Sequence, residues 1–150
     1  MALLFKDYCV DKELDLFKVI KILLIHDIVE VYTGDTFLFN QALREQAKPS
    51  EALAANQIFG LLPAEQNQEF LSLWHEFEAR TTAEARYAAA LDNLQPILNH
   101  LLSGNPQQTQ ISKSEVIAKK EFIKQIAPEL WTLALQLIDE SVAKGLFLDH

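Results

Sequence analysis

A histidine and three carboxylates with ligand or proton chemistry stand close together in one short run of the chain. Residues 21–36 read KILLIHDIVEVYTGDT, and this otherwise apolar stretch holds His26, Asp27, Glu30 and Asp35. Imidazole and carboxylate are suited to Mn²⁺, Fe²⁺, Co²⁺, Ni²⁺ or Zn²⁺. Two carboxylates near one another also push their pKa values apart, one route to a protonated and an ionised member together. On a helix at roughly 100° per residue, His26, Asp27 and Glu30 fall within one arc about 100° wide. His26 and Glu30 then stack at i, i+4, while Asp27 and Glu30 meet at i, i+3. Lys18 and Lys21 fall on nearly the opposite side, so if the lysines mark the solvated stripe the trio points inward. A lone buried charge is too costly to leave unmet, so a metal ion, a counter-charge or a substrate is expected there. The rival reading is a core histidine bonded to a neighbouring carboxylate, with no ligand at all.

A further acid, Asp92, lies in EARYAAALDNLQPIL. It shares a side with Ala85, Ala88, Ala89 and Pro96, and small residues let a neighbouring helix approach closely enough for a short aspartate to reach across. A solvent-facing aspartate in an alanine-rich helix is the alternative reading of the same pattern.

The ordered set HD, E, GD and distant D resembles the HD-domain family of metal-dependent phosphohydrolases, and within it the small 5′-deoxynucleotidase-like branch. The likeness extends over LWHEFEARTTAEA and the closing ELWTLALQLIDESVAKG. It implies an all-α, HD-domain helical bundle of about six or seven helices in one domain, residues 1–150. It also implies a divalent cation (Mn, Co, Fe, Ni, Zn or Mg) on His26, Asp27 and Asp92, with Glu30 moving a proton and Asp35 as its partner. The implied reaction is hydrolysis of a small phosphate monoester, with a deoxynucleoside 5′-monophosphate foremost. The family's first metal histidine, and residues that contact substrate in the branch, precede the point matching Met1. The N-terminal helix is therefore expected to be truncated and metal binding weakened. A degenerate HD-fold protein that binds a nucleotide or a partner without turnover is the alternative. A di-iron oxygenase on this fold would need more histidines near Asp35, which the sequence lacks. Relatives are often dimers, so a homodimer is also implied.

The bulk composition narrows the partners. The 150 residues suit one domain, and 49% hydrophobic with 23% charged residues is ordinary for a globular chain. Twenty-one acidic against 13 basic side chains give a net charge of −8, which argues against a nucleic-acid polymer but not against a single nucleotide. Cys9 stands alone, which forbids an intramolecular disulfide and fits a reducing, cytoplasmic setting. No apolar run is long enough for a membrane span, and Lys6 and Asp7 interrupt anything like a signal peptide.

The elements that must position the acids follow from periodicity and punctuation. Residues 14–32 read as a central buried helix, ended by Gly34. Residues 36–50 read as a loop with one helical turn at 40–46, placed where it could cover a site. A helix at 51–62 precedes another, to about residue 80, with Phe70, Leu73, Trp74 and Phe77 on its core stripe. HEFEA in that helix opens like a zinc-protease motif, but position 79 is Ala, so His75 is expected at the surface. Thr81 and Glu84 form a capping pair before a helix to about residue 102, which Pro96 should kink. His100 lies about 12 Å along that helix from Asp92, too far to share a metal, and should complement the helix C-terminus. Residues 103–111 form a loop. Ser112 and Glu115 cap a helix over 116–126, whose lysines suggest a solvated face, and 129–144 close the chain as a last helix before Gly145.

Overall fold

The computed structural model describes residues 1–34, 41–105 and 111–150, with the backbone alone over 41–48. Asp35 lies outside the described residues. The architecture is all-helical, as expected. A 3-10 turn, Lys6–Tyr8, is followed by α1 (Leu16–Ile25), a second 3-10 turn (His26–Val29) and the single-turn α2 (Glu30–Thr33). Then come α3 (Gln41–Phe59), α4 (Ala64–Ala79), α5 (Ala83–Ser103), α6 (Lys113–Lys120), the short α7 (Ile123–Ile126) and α8 (Pro128–Ala143). Among the described residues no helix is long and apolar enough to cross a membrane.

The central element is α5, not the segment at 14–32. Ala85, Tyr87, Ala88, Ala89, Ala90, Leu91, Leu94 and Ile97 are all buried, because α5 packs against α1, α4, α7 and α8. Its alanines keep the surrounding helices close. By contrast α1 is buried along one stripe, Val19, Ile22 and Ile25, continued by Val29, while Phe17, Leu24 and Val31 are exposed. An apolar run in sequence fixes which residues can be buried, and only the side that meets α5 and α4 is.

Contacts at both ends set α1 beside α5 in the same direction. At the near end the Asp15 carboxylate caps α1 by accepting from the Lys18 N–H at 3.1 Å. The Asp15 N–H in turn donates to Glu84 Oε1 at 3.2 Å. At the far end His26 meets Asp92. Glu84 thus serves α1 rather than its own helix. The cap of α5 is Thr82, whose hydroxyl accepts from the Ala85 N–H at 3.2 Å, so the expected pairing of Thr81 with Glu84 is shifted by one residue. Lys18 and Lys21 are also more engaged than a solvated stripe: Lys18 pairs with Glu76 at 2.8 Å and Lys21 with Glu69, which ties α1 to α4.

Two further segments depart from the sequence expectation. Residues 41–50 are helical rather than loop, since α3 runs through Pro49. A mid-helix proline removes one hydrogen bond and crowds the preceding turn, and the burial of Ala54, Ala55 and Phe59 further along α3 offsets that cost. The helix expected over 116–126 is broken after Lys120. There the backbone tightens to i, i+3 bonds, Lys124 N–H to Glu121 O at 3.0 Å and Gln125 N–H to Phe122 O at 3.2 Å.

The N-terminus of α6 is fully satisfied, as a helix start must be if it is to stay wound. Ser112 and Glu115 make the expected capping box. The Lys113 N–H donates to Leu148 O at 2.8 Å and the Ser114 N–H to His150 O at 3.0 Å. The tail is held again where His100 Nε2 meets Leu146 O at 3.0 Å and the imidazole stacks on Phe147. His100 is therefore a packing residue at the end of α5, and among the described residues it is not part of a metal-binding group, in keeping with its spacing from Asp92.

Candidate metal centre

The backbone changes pitch at His26, where the candidate site begins. After Ile25 the chain passes from α to 3-10 geometry for four residues, which turns each side chain about 120° from the last instead of 100°. His26 is directed inward, its side chain only 8% exposed, while Asp27 beside it is 63% exposed. The arc drawn from an unbroken helix holds for His26 and fails for Asp27, which reaches the same point from the solvent side. The trio does not face the core together.

His26 is oriented from three directions. Nδ1 lies 3.1 Å from the Leu23 carbonyl, which can only accept, so Nδ1 carries the proton and Nε2 faces away. The Phe77 ring from α4 packs against the imidazole at 4.5 Å between centroids. Nε2 then meets Asp27 Oδ1 at 2.9 Å and Asp92 Oδ1 at 3.4 Å. Burial alone would depress the imidazolium, but hydrogen bonds to Asp27 and Asp92 outweigh it and raise the pKa to about 10.

Asp92 comes from the middle of α5 and is 37% exposed at its side chain. The helix continues through Pro96, so the Asp92 carbonyl receives no N–H from that residue. Its Oδ2 accepts from Asn93 Nδ2 at 3.3 Å, leaving Oδ1 to face His26.

One ligand atom from each of His26, Asp27 and Asp92 lies within 4.8 Å of the others. A cation bonded at about 2.0–2.2 Å to nitrogen and oxygen donors spaces them about 3.0–3.5 Å apart, so the set fits a small divalent ion with little movement. Glu30 is half-buried at the start of α2, one turn beyond, and is not part of this tight set. Asp35 falls outside the described residues. His75 is exposed, as its spacing predicted. Two clefts of about 420 and 350 Å³ are lined by other residues, Cys9 and Arg86 in the first and Trp74 and His75 in the second. Burial raises the Cys9 thiol, which argues against a reactive role there.

A family model for the HD domain matches residues 1–131. The chain belongs to the HD-domain family. It is 33% identical over 98 residues to the 5′-deoxynucleotidase HDDC2 of Bos taurus, covering 65% of this chain and 46% of the relative. It is 32% identical over 114 residues to the protein of that name from Danio rerio, 73% and 55% of the two chains. The chain thus spans about half the length of the curated relatives it matches. The crystal structure of a predicted metal-dependent phosphohydrolase from Magnetospirillum magnetotacticum MS-1 aligns with a TM-score of 0.83 at 38% identity, over 99% of this chain and 76% of the other. At that similarity the fold and the HD architecture are shared throughout.

Sequence reasoning missed the residues that pack behind the candidate ligands. The Leu23 carbonyl is invisible in a sequence because every residue has one. Phe77 lies on the core stripe that periodicity predicts, and nothing in the sequence says that this stripe meets His26. Lys120, read as part of a solvated lysine face, is buried at 4% exposure. Its position four residues after Val116, a core residue of α6, was the available signal.

Proposed function

We propose that this HD-domain chain hydrolyses a small phosphate monoester, a deoxynucleoside 5′-monophosphate foremost, using a divalent cation held by His26, Asp27 and Asp92. The observation that carries the reading is the convergence of His26 and Asp27, at the end of α1, with Asp92 on α5. The names of the curated relatives support the substrate class.

His26, Asp27 and Asp92 would hold the cation, which when bound would supply Lewis acidity toward a phosphoryl oxygen and a water made nucleophilic at neutral pH. The protein's own contribution is positional. The Leu23 carbonyl and the Phe77 ring hold the imidazole with Nε2 toward the two carboxylates. Glu30, one turn on and half-buried, is the group assigned to carry a proton to or from the reacting water, with Asp35 as its partner. The concentrated cation charge would also offset the repulsion between a phosphate and a chain of net charge −8.

The test is phosphate release from a panel of ribo- and deoxynucleoside 5′-monophosphates with Co²⁺ or Mn²⁺, with EDTA, and with His26→Ala. The expected result is release that requires the cation and falls at least about 100-fold in the variant, in line with the loss of a group needed for the chemistry. Release indifferent to EDTA and to His26→Ala would overturn the proposal. Nucleotide binding with no release would assign the chain to the non-hydrolytic alternative.

A further inference from the structure

We propose that Lys120 and Asn93 form a positioning chain that fixes the Asp92 carboxylate for cation binding, an inference that rests on the metal reading above. Lys120 projects from α6 into the core, 4% exposed, and its Nζ donates to Asn93 Oδ1 at 2.7 Å. Asn93, 7% exposed on α5, donates from Nδ2 both to the Ala89 carbonyl at 2.9 Å and to Asp92 Oδ2 at 3.3 Å. The chain therefore runs from an ammonium on one helix, through an amide, to the outer oxygen of the candidate ligand.

Each link determines the next. A lysine ammonium has hydrogens and no acceptor, so the Asn93 atom that faces it must be the oxygen. That settles the amide orientation, which would otherwise be open to a flip, and delivers both N–H groups to the opposite side. One of them satisfies Ala89 and the other occupies Asp92 Oδ2. With Oδ2 engaged, the carboxylate presents Oδ1 toward His26. The intervening amide matters as much as the charge. An ammonium bonded directly to Asp92 would compete with a metal ion for the same oxygen, whereas Asn93 passes on the orientation and keeps the positive charge one residue away. A buried lysine is expensive unless something needs its geometry, and partners of this kind behind a ligand are known to set its affinity for metal.

The experiment is Co²⁺ titration, followed by visible absorption and calorimetry, on the full chain and on Lys120→Met, Asn93→Leu, the double variant, Lys120→Gln and His26→Ala, each with its thermal midpoint. The expected result is a loss of about 10–100-fold in Co²⁺ affinity for Lys120→Met and for Asn93→Leu. The double variant should be no worse than either single one, since both break one chain. Lys120→Gln, which keeps an N–H donor, should retain most of the affinity. Should Lys120→Met fail to fold, Asn93→Leu against Lys120→Gln makes the same comparison. Wild-type affinity in a folded Lys120→Met or Asn93→Leu protein, or losses that add in the double variant, overturns the positioning role while the metal reading stands. Absence of Co²⁺ binding to the wild type, or binding undiminished in His26→Ala, overturns both.

Discussion

Nε2 of His26 lies 3.4 Å from Oδ1 of Asp92, although 66 positions separate them in the chain. The pairing exists because α1 and α5 run side by side from a shared start at Asp15 and Glu84. Asp92→Asn keeps the shape of the side chain and removes its charge. It should weaken Co²⁺ binding at least as much as loss of a partner behind a ligand, about 10–100-fold, and lower the thermal midpoint of the metal-free protein, because His26 loses one of its two counter-charges. Calorimetric titration beside a melting curve checks both halves of that expectation.

The same pairing makes the metal-free protein sensitive to alkali. His26 titrates near 10 when folded, above the ordinary value of 6.5, because the two carboxylates favour its charged form. A group whose pKa rises on folding contributes its full stabilisation below the unfolded value and loses it as pH climbs through the folded one. In EDTA, wild-type stability should therefore decline between about pH 6.5 and 10 relative to His26→Gln, read by urea midpoints across that range. The proton must also leave Nε2 before a cation can bind there, so Co²⁺ affinity should rise with pH across the same window.

Gly34 ends α2 at φ 76°, ψ 154°, a region that is close to glycine-only. It is not the left-handed helical geometry expected of a helix-ending glycine, although its N–H still closes on the Glu30 carbonyl at 2.7 Å. Among the described residues an added Cβ would meet nothing within 4 Å. Gly34→Ala should therefore cost about 1–3 kcal/mol through the backbone alone. Equilibrium urea unfolding at unchanged m-value is the measurement.

Adjacent threonines before α5 offer an internal control. Thr82 accepts from the Ala85 N–H and donates to Glu76, whereas Thr81 contributes its carbonyl, to Arg86, at 3.0 Å. Thr82→Ala should destabilise by about 0.5–2 kcal/mol, and Thr81→Ala should leave the urea midpoint nearly unchanged. Equal losses at the two positions would contradict the assigned cap.

Much of the site was legible because its information is local. His26 and Asp27 are neighbours, Glu30 lies one turn on, and the alanines around Asp92 announced a close helix contact before the contact was seen. What could not be read is the handover from α to 3-10 geometry at His26, since nothing in LLIHDIV distinguishes the two by composition. Asp27 falls on the solvent side for a separate reason: Lys18 and Lys21, expected to mark the solvated stripe, pair with Glu76 and Glu69 on α4. The capping residue of α5 was missed for a related reason: Thr81 and Thr82 are equivalent in type, and the choice fell to Glu84, which was recruited by Asp15 across the helix pair. Lys120 was hidden by its company, since three exposed or partly exposed lysines nearby suggested one polar face.

The bonds between the tail and the start of α6 give the last few residues a reach beyond their own surroundings. Leu148 and His150 accept the first two N–H groups of α6, and Lys120 stands at the other end of that two-turn helix. Releasing the tail would unwind α6 from its beginning, and the slack would travel along it to the ammonium that steadies Asn93. Amide exchange at Lys113 and Ser114 should thus report on how firmly Asp92 is aimed, from the opposite end of α6.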